Sequence, residues 1–184
     1  MNVLEGARSA SNGCRRLDIR PQTVYKKQRR QPTMENATTT EDSNDAEAQI
    51  RSLMARRVEA VRAKDVDGAL ADHAPNVLTF DVVDPLQYIG TQELRKRLEA
   101  WFSSFQGPIG FELRDLSVTA GEDVAFCHSL NGVSGTRTDG GKLAMWFRAT
   151  VCFRKIGGEW KVTHEHSSAP FDPATGKASL DLEP

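Results

Sequence analysis

The chain has 184 residues, of which 39% are hydrophobic and 27% are charged, and its formal net charge is −1. These values are typical of one soluble domain with a short tail. A nearly neutral charge argues against nucleic acid as a partner, because phosphate binding needs a basic surface. No apolar segment approaches the roughly 20 residues that a membrane-spanning helix requires. We therefore expect a protein that binds neither nucleic acid nor membranes.

The cysteines indicate no cross-linked or metal-bound framework. Cys14, Cys127 and Cys152 are an odd number and lack the CxxC spacing of zinc sites. Cys127 and Cys152 lie within apolar segments, which is typical of buried thiols in a reducing compartment. We therefore expect a cytoplasmic protein.

The first 45 residues show no apolar periodicity. Residues 1–33 are rich in arginine and lysine, whereas residues 34–48 contain acidic side chains and no basic one. Such segments predict a disordered tail over residues 1–45. The basic part is either a transit peptide or an upstream extension that precedes a start at Met34.

Three helices are predicted after this tail. In residues 46–64 an apolar stripe recurs at helical spacing, with Arg57 near its middle. Asp65 is expected to cap a second helix over Val66–His73, which Pro75 closes. Thr91 is expected to cap a third helix, whose buried face carries Leu94, Leu98, Trp101, Phe102 and Phe105.

From residue 109 onward the apolar period changes to two, which predicts strands. The predicted strands are residues 77–83, which lie between the second and third helices, and then 109–119, 123–136, 142–155 and 159–168. Glycine-rich hairpin turns follow residues 137 and 155. This order predicts an α+β fold with a cone-shaped, curved, antiparallel or mixed sheet wrapped around three N-terminal helices. The space between these layers suits a small ligand.

Two segments resemble a known family. "LMARRVEAVRAKDVDGALADHAPNVLTFDVVDPLQYIGTQELRKRLEAWF" is similar to the N-terminal half of ketosteroid isomerase and the SnoaL-like polyketide cyclases, which belong to the nuclear-transport-factor-two-like superfamily. "GEWKVTHEHSSAP" resembles the end of the calcium/calmodulin-dependent kinase association domain, another member. The resemblance covers residues 46–172 and leaves 173–184 as a C-terminal tail. It implies a small-molecule ligand, a homodimer or higher homo-oligomer, and no cofactor or metal, and it leaves catalysis open because this fold hosts many functions.

Asp81 and Arg57 are the first candidate catalytic residues. Asp81 is either a cavity-facing carboxylate or an exposed residue at a strand end, and the resemblance puts it on the proton-shuttling aspartate of the isomerases. Arg57 matches the isomerase tyrosine that donates a hydrogen bond to the oxyanion. A guanidinium there suits a carboxylate or enolate, although Arg57 could instead pair with Asp81 in a buried ion pair. The second isomerase oxyanion donor aligns with Thr150 or Ala149, so steroid isomerisation by that mechanism is not expected.

His164 and His166 are the other candidate catalytic residues. They share one side of an extended chain with Trp160 and Val162, so all four face the interior if the tryptophan does. The imidazoles are then either hydrogen-bonding groups of the cavity wall or satisfied core residues. A metal site would need a third ligand, such as His128.

His128, Trp146, Arg148 and Trp101 are candidate ligand-binding residues. Trp146 and Arg148 share one face of their strand, and the alternate face is wholly apolar. The sequence leaves open which face lines the cavity and which meets a partner subunit. Trp101 is either core or ligand wall.

Two functions are consistent with these residues. The first is proton transfer at a carbon next to a carbonyl, with Asp81 as the base and Arg57 and His164 or His166 stabilising the enolate. The alternative is a non-catalytic ligand-binding or oligomerisation module.

Overall fold

The computed structural model describes residues 34–184, with side chains from residue 42 onward. Residues 1–33 of the tail expected over residues 1–45 lie outside the described residues. The described elements, in chain order, are α1 Met34–Arg62, α2 Val66–Leu70, β1 His73–Phe80, β2 Tyr88–Ile89, α3 Thr91–Ser103, β3 Phe105–Ala120, β4 Val124–Arg137, β5 Lys142–Ile156 and β6 Glu159–Ser168. Among these helices, none is long and apolar enough to cross a membrane.

The six strands form one mixed sheet in the order β2-β1-β6-β5-β4-β3. Neighbouring strands are antiparallel except β1 and β6, which are parallel. Both predicted hairpins, β4–β5 and β5–β6, are present. The α+β prediction is therefore confirmed: a curved, unclosed sheet accompanied by three helices.

Register shifts bend the long strands around the helices. In β3 the pairing with β4 shifts between Gln106 and Gly110 and again between Arg114 and Ser117. Asp115, inside the second shift, has a φ of 53°. An extra residue on one strand increases local twist and bends the strand. These shifts curve the outer hairpin and leave space under its inner face.

Helix α1 buries the predicted apolar stripe. Its buried residues include Ala46, Ile50, Leu53, Met54 and Val61. The helix begins at Met34, N-terminal to the predicted start, so the acidic residues 41–47 belong to it.

The second helix is shorter than predicted. Asp65 caps it as expected, since its Oδ1 accepts a hydrogen bond from the Gly68 amide at 3.0 Å. The helix ends at Leu70, and His73 already belongs to β1. Pro75 therefore lies within a strand and does not close the helix.

The third helix also differs at both ends. Gly90, with a φ of 83°, occupies the N-cap position, so Thr91 is the first helical residue and not the cap. Phe105 was expected on the helix face but opens β3, because α3 ends at Ser103. Leu94 and Phe102 are buried as predicted.

Candidate functional site

A cavity of about 590 Å³ lies between α1, α3 and the inner face of the sheet. Its wall is mostly apolar and includes Met54, Leu98, Trp101, Phe111, Met145 and Phe147. Its charged and polar lining residues include Arg57, His73, Thr79, Asp81, Arg97, Asn131, Arg137 and Glu165. The predicted cavity is therefore present, and it contains more ionic groups than expected.

Arg57 and Glu165 form a buried, bidentate ion pair in this wall. Arg57 Nη2 donates to Glu165 Oε2 at 2.9 Å, and Arg57 Nη1 contacts Oε1 directly. The two side chains are 25% and 10% exposed. Burial alone would raise the pKa of Glu165, but the Arg57 guanidinium and His73 outweigh it and hold that pKa well below its usual range. The alternative in which Arg57 pairs with Asp81 is wrong.

His73 and Thr79 contribute buried polar groups with unused hydrogen-bonding capacity. The His73 side chain is 1% exposed, and its Nε2 lies 3.3 Å from Glu165 Oε1. Neither His73 ring nitrogen, nor Thr79 Oγ1, has a well-aligned hydrogen-bond partner among the described residues. Unpaired buried polar groups are costly, so both side chains are suited to contact a ligand in the cavity.

Asp81 lies in the cavity wall just beyond the end of β1. Its Oδ1 accepts from the Val82 amide at 2.6 Å, and its Oδ2 accepts from Arg97 Nε at 3.0 Å. The Asp81 and Arg97 side chains are 20% and 21% exposed. The carboxylate is therefore held in a fixed orientation, and it is not the exposed strand-end residue of the alternative.

The prediction that His164 and His166 face the cavity is wrong. Cys152 pairs with His164 whereas Phe153 pairs with Val162, so Thr163 is an extra residue on β6. This bulge reverses the alternation after Val162. Glu165 is consequently the residue that turns inward.

Both histidines lie on the outer face of the sheet. His164 Nδ1 is 2.9 Å from the Leu78 carbonyl oxygen, and the Phe80 ring contacts both imidazoles edge-on. Within residues 34–184, no three His, Cys, Asp or Glu side chains are grouped so as to hold a metal ion.

Strand β5 turns its apolar set toward the cavity, which answers the question that the sequence left open. Trp146 and Arg148 therefore lie outside, and the prediction that they bind the ligand is wrong. The Trp146 ring packs against Gly132 and beneath the Arg114 guanidinium, 4.5 Å from the ring centroid. His128 is also exposed on the outer face, so it is not a cavity residue. Trp101 does line the cavity.

Several residues of the cavity were not predicted from the sequence. Arg97 could have been predicted as a cavity residue, because it lies one helical turn before Trp101 and on the same face of α3. His73 was hidden by the overlong second helix. Glu165 had no local signal, since its direction depends on the bulge. Arg137 lies at the end of β4, where burial cannot be read from alternation.

The family is shown by comparison with known proteins. The sequence model of the SnoaL-like domain family matches residues 50–172. An NTF2-like protein of unknown function from Pseudomonas putida KT2440 is 40% identical, with a TM-score of 0.72, over 77% of this chain and 99% of that one. No curated protein sequence matches this chain.

More distant structures share the fold. A ketosteroid isomerase-like protein from Erwinia carotovora atroseptica superposes with a TM-score of 0.59 at 19% identity, over 68% of this chain and 96% of that one. An NTF2-like protein with a cystatin-like fold from Novosphingobium aromaticivorans gives a TM-score of 0.62 at 15% identity, over 78% and 94%. On the family match and the relative from Pseudomonas putida, the chain belongs to the SnoaL-like family of NTF2-like proteins.

Proposed function

We propose that this protein binds a small organic molecule with a carbonyl group in its central cavity and transfers a proton at the neighbouring carbon. The observation that carries the proposal is one oriented carboxylate, Asp81, in the wall of an otherwise largely apolar cavity. The cavity volume of about 590 Å³ falls within the range of small-molecule sites. The ketosteroid isomerase-like protein from Erwinia carotovora atroseptica shares the fold, which is consistent with this proposal.

The proposed step uses groups that line the same cavity. An oxygen of Asp81 takes the proton from the carbon next to the carbonyl, and the electron pair of the broken C–H bond moves to the carbonyl oxygen. The hydroxyl of Thr79 and the N–H of His73 are suited to donate to the resulting enolate oxygen, because neither has a well-aligned hydrogen-bond partner among the described residues. Arg57 supplies positive charge nearby, although its guanidinium is engaged by Glu165. Returning the proton to another carbon completes an isomerisation.

Exchange of α protons for deuterium tests this function without knowledge of the natural substrate. The full chain is expected to accelerate exchange in 2-tetralone in D₂O, followed by proton NMR, above the buffer rate. Ala149→Phe fills the cavity from the buried face of β5 and is expected to abolish the acceleration. Ala144→Phe is the matched control, since Ala144 is exposed on the same strand. Acceleration that survives Ala149→Phe in the folded variant would place the chemistry outside the cavity.

We also propose that the chain forms a cytoplasmic homodimer through the outer face of β4 and β5. This face carries Val124 and Phe126, which are 49% and 44% exposed, and, further along β5, the half-buried Trp146. Apolar side chains on a broad sheet face favour a protein partner. Cys127 and Cys152 are free thiols, as expected in a reducing compartment.

The dimer is tested by light scattering coupled to size-exclusion chromatography. The expected mass is twice that of the 20.3 kDa chain. Phe126→Glu is expected to give monomers, because it places a charge in the contact. Lys96→Glu, an exposed change on α3 and away from the outer face of β4 and β5, is the control and should leave the dimer intact. A monomeric wild-type protein at tens of micromolar would contradict the proposal.

A further inference from the structure

The charges that line the cavity do not balance within the described residues. Three arginines line it, Arg57, Arg97 and Arg137, and two of them are paired with carboxylates. Glu165 pairs with Arg57, and Asp81 pairs with Arg97. No carboxylate of residues 42–184, whose side chains the structure describes, forms an ion pair with Arg137. The wall therefore has one positive charge in excess, and it belongs to Arg137.

The Arg137 guanidinium is held in position by neutral groups. Its Nη1 donates to Ser104 Oγ at 2.9 Å, and its Cζ lies 5.1 Å from the centroid of the Phe105 ring. The Ser104 hydroxyl in turn donates to the Trp101 carbonyl oxygen at 2.6 Å. This arrangement uses one of the five N–H donors of the Arg137 guanidinium. It also fixes the plane of the guanidinium, and therefore the directions of the other four donors. A fixed, partly buried guanidinium with free donors is suited to bind a carboxylate through two parallel hydrogen bonds.

Arg137 and the Asp81–Arg97 pair are held at different positions along α3 and its C-terminal end. Arg97 and Ser104, which contact the two groups, are seven residues apart on and just beyond α3. At the rise of an α-helix this separates them by about 10 Å along the axis. Trp101 lies between Arg97 and Ser104 in the sequence and lines the cavity, so the wall between these two positions is partly aromatic.

We infer that the ligand of this cavity is an organic acid whose carboxylate binds Arg137 while its apolar body reaches toward Asp81. The inference rests on the proposed function and adds the substrate class: a carbonyl compound that carries a carboxylate about 10 Å from the reacting carbon. The acid balances the unpaired charge of the wall. A neutral ligand of the same shape leaves the positive charge of Arg137 unbalanced, even where its carbonyl oxygen accepts a hydrogen bond.

Matched ligands test this directly by isothermal titration calorimetry of the full chain. Sodium 4-phenylbutanoate and 4-phenylbutanamide have nearly the same shape and differ in charge. The acid is expected to bind about tenfold more tightly or better, because hydrogen bonds between charged groups are worth more than neutral ones. Equal affinity, tighter binding of the amide, or no binding of the acid would overturn the inference.

Variants assign the preference to one residue. Arg137→Met is expected to remove the preference for the acid. Arg114→Met is the matched control, because Arg114 also stacks on an aromatic ring but on the outer face, and the preference should persist. If Arg137→Met does not fold, Arg137→Gln, which can still hydrogen-bond Ser104, replaces it. A folded neutral variant that keeps the preference contradicts the assignment.

The same assay separates this inference from the proposed function. Asp81→Asn is expected to prefer the acid at least as strongly as the wild type, because it also leaves Arg97 without its carboxylate, and to lose proton exchange. If the acid is preferred but Asp81→Asn exchanges protons normally, the inference stands and the role of Asp81 as base fails. If exchange depends on Asp81 but acid and amide bind equally, the proposed function stands and the inference fails.

Discussion

Replacing Arg57 with methionine is expected to lower the free energy of unfolding by about 3–5 kcal/mol, because it leaves the Glu165 carboxylate buried without its guanidinium partner. The Glu165 side chain is only 10% exposed, so water cannot take over the lost hydrogen bonds without a structural change. His73 remains within 3.3 Å but lies at a poor angle for a hydrogen bond. Urea denaturation of both proteins at pH 7 measures the difference.

The chain offers a matched control at the next residue. Arg56 pairs with Asp72 at 3.1 Å, but its side chain is 61% exposed. Arg56→Met is therefore expected to cost less than about 1 kcal/mol. The double variant Arg57→Met/Glu165→Leu removes both charges and is expected to recover most of the loss, since an apolar pair of similar size is often as stable as a buried ion pair. If Arg57→Met is as mild as Arg56→Met, the pair is not structurally important.

The pH dependence gives a second signature of the pair. Because the folded pKa of Glu165 is lowered from 4.5, its contribution to stability is fully present above pH 4.5 and decreases as the pH falls through the lower, folded pKa. In Arg57→Met the main charge that lowers this pKa is gone, and protonation of Glu165 relieves the buried charge. The stability gap between wild type and Arg57→Met is therefore expected to narrow below pH 4.5. A gap that widens there would contradict the assignment.

The architecture could be predicted because its signals are local. The apolar stripe of α1 and the glycine-rich turns after β4 and β5 depend on residues close together in sequence. The side chains of each strand alternate between the two faces of the sheet over most of its length. The sequence therefore divides the residues of β5 into two sets, one for each face. What the alternation could not decide was which set faces inward, because that depends on packing against α1 and α3.

The candidate site could be predicted only in part, and the reason is a single extra residue. Asp81 and Arg57 were found because they interrupt apolar patterns. The predicted inward and outward directions of the β6 side chains are correct as far as Val162. Beyond it, the bulge at Thr163 turns Glu165 inward where His164 was expected. A bulge is set by the pairing of neighbouring strands, so the isolated sequence of β6 does not reveal it. The buried partner of Arg57 was missed for the same reason.

Replacing Asp81 with asparagine is expected to reduce the protein-catalysed exchange of α protons by about 10²- to 10⁴-fold, the usual contribution of a positioned general base. Asparagine has the same shape, and its amide oxygen can accept one of the hydrogen bonds that Val82 and Arg97 now give to the carboxylate. It cannot take up the substrate proton at neutral pH. Ligand affinity is expected to change much less than the rate, because the apolar wall is untouched.

Asp84→Asn is the matched control, since this carboxylate lies three residues further along the same loop and is exposed. Exchange by Asp84→Asn is expected at the wild-type rate, measured by proton NMR in D₂O with circular dichroism to verify folding. An Asp81→Asn protein that exchanges protons as fast as wild type, while Ala149→Phe remains inactive, would mean that another group in the cavity is the base. The two acids that line the described cavity are each hydrogen-bonded on both oxygens, Asp81 by the Val82 amide and Arg97, and Glu165 by Arg57. Asp81 is the candidate base because its side chain is 20% exposed, against 10% for Glu165.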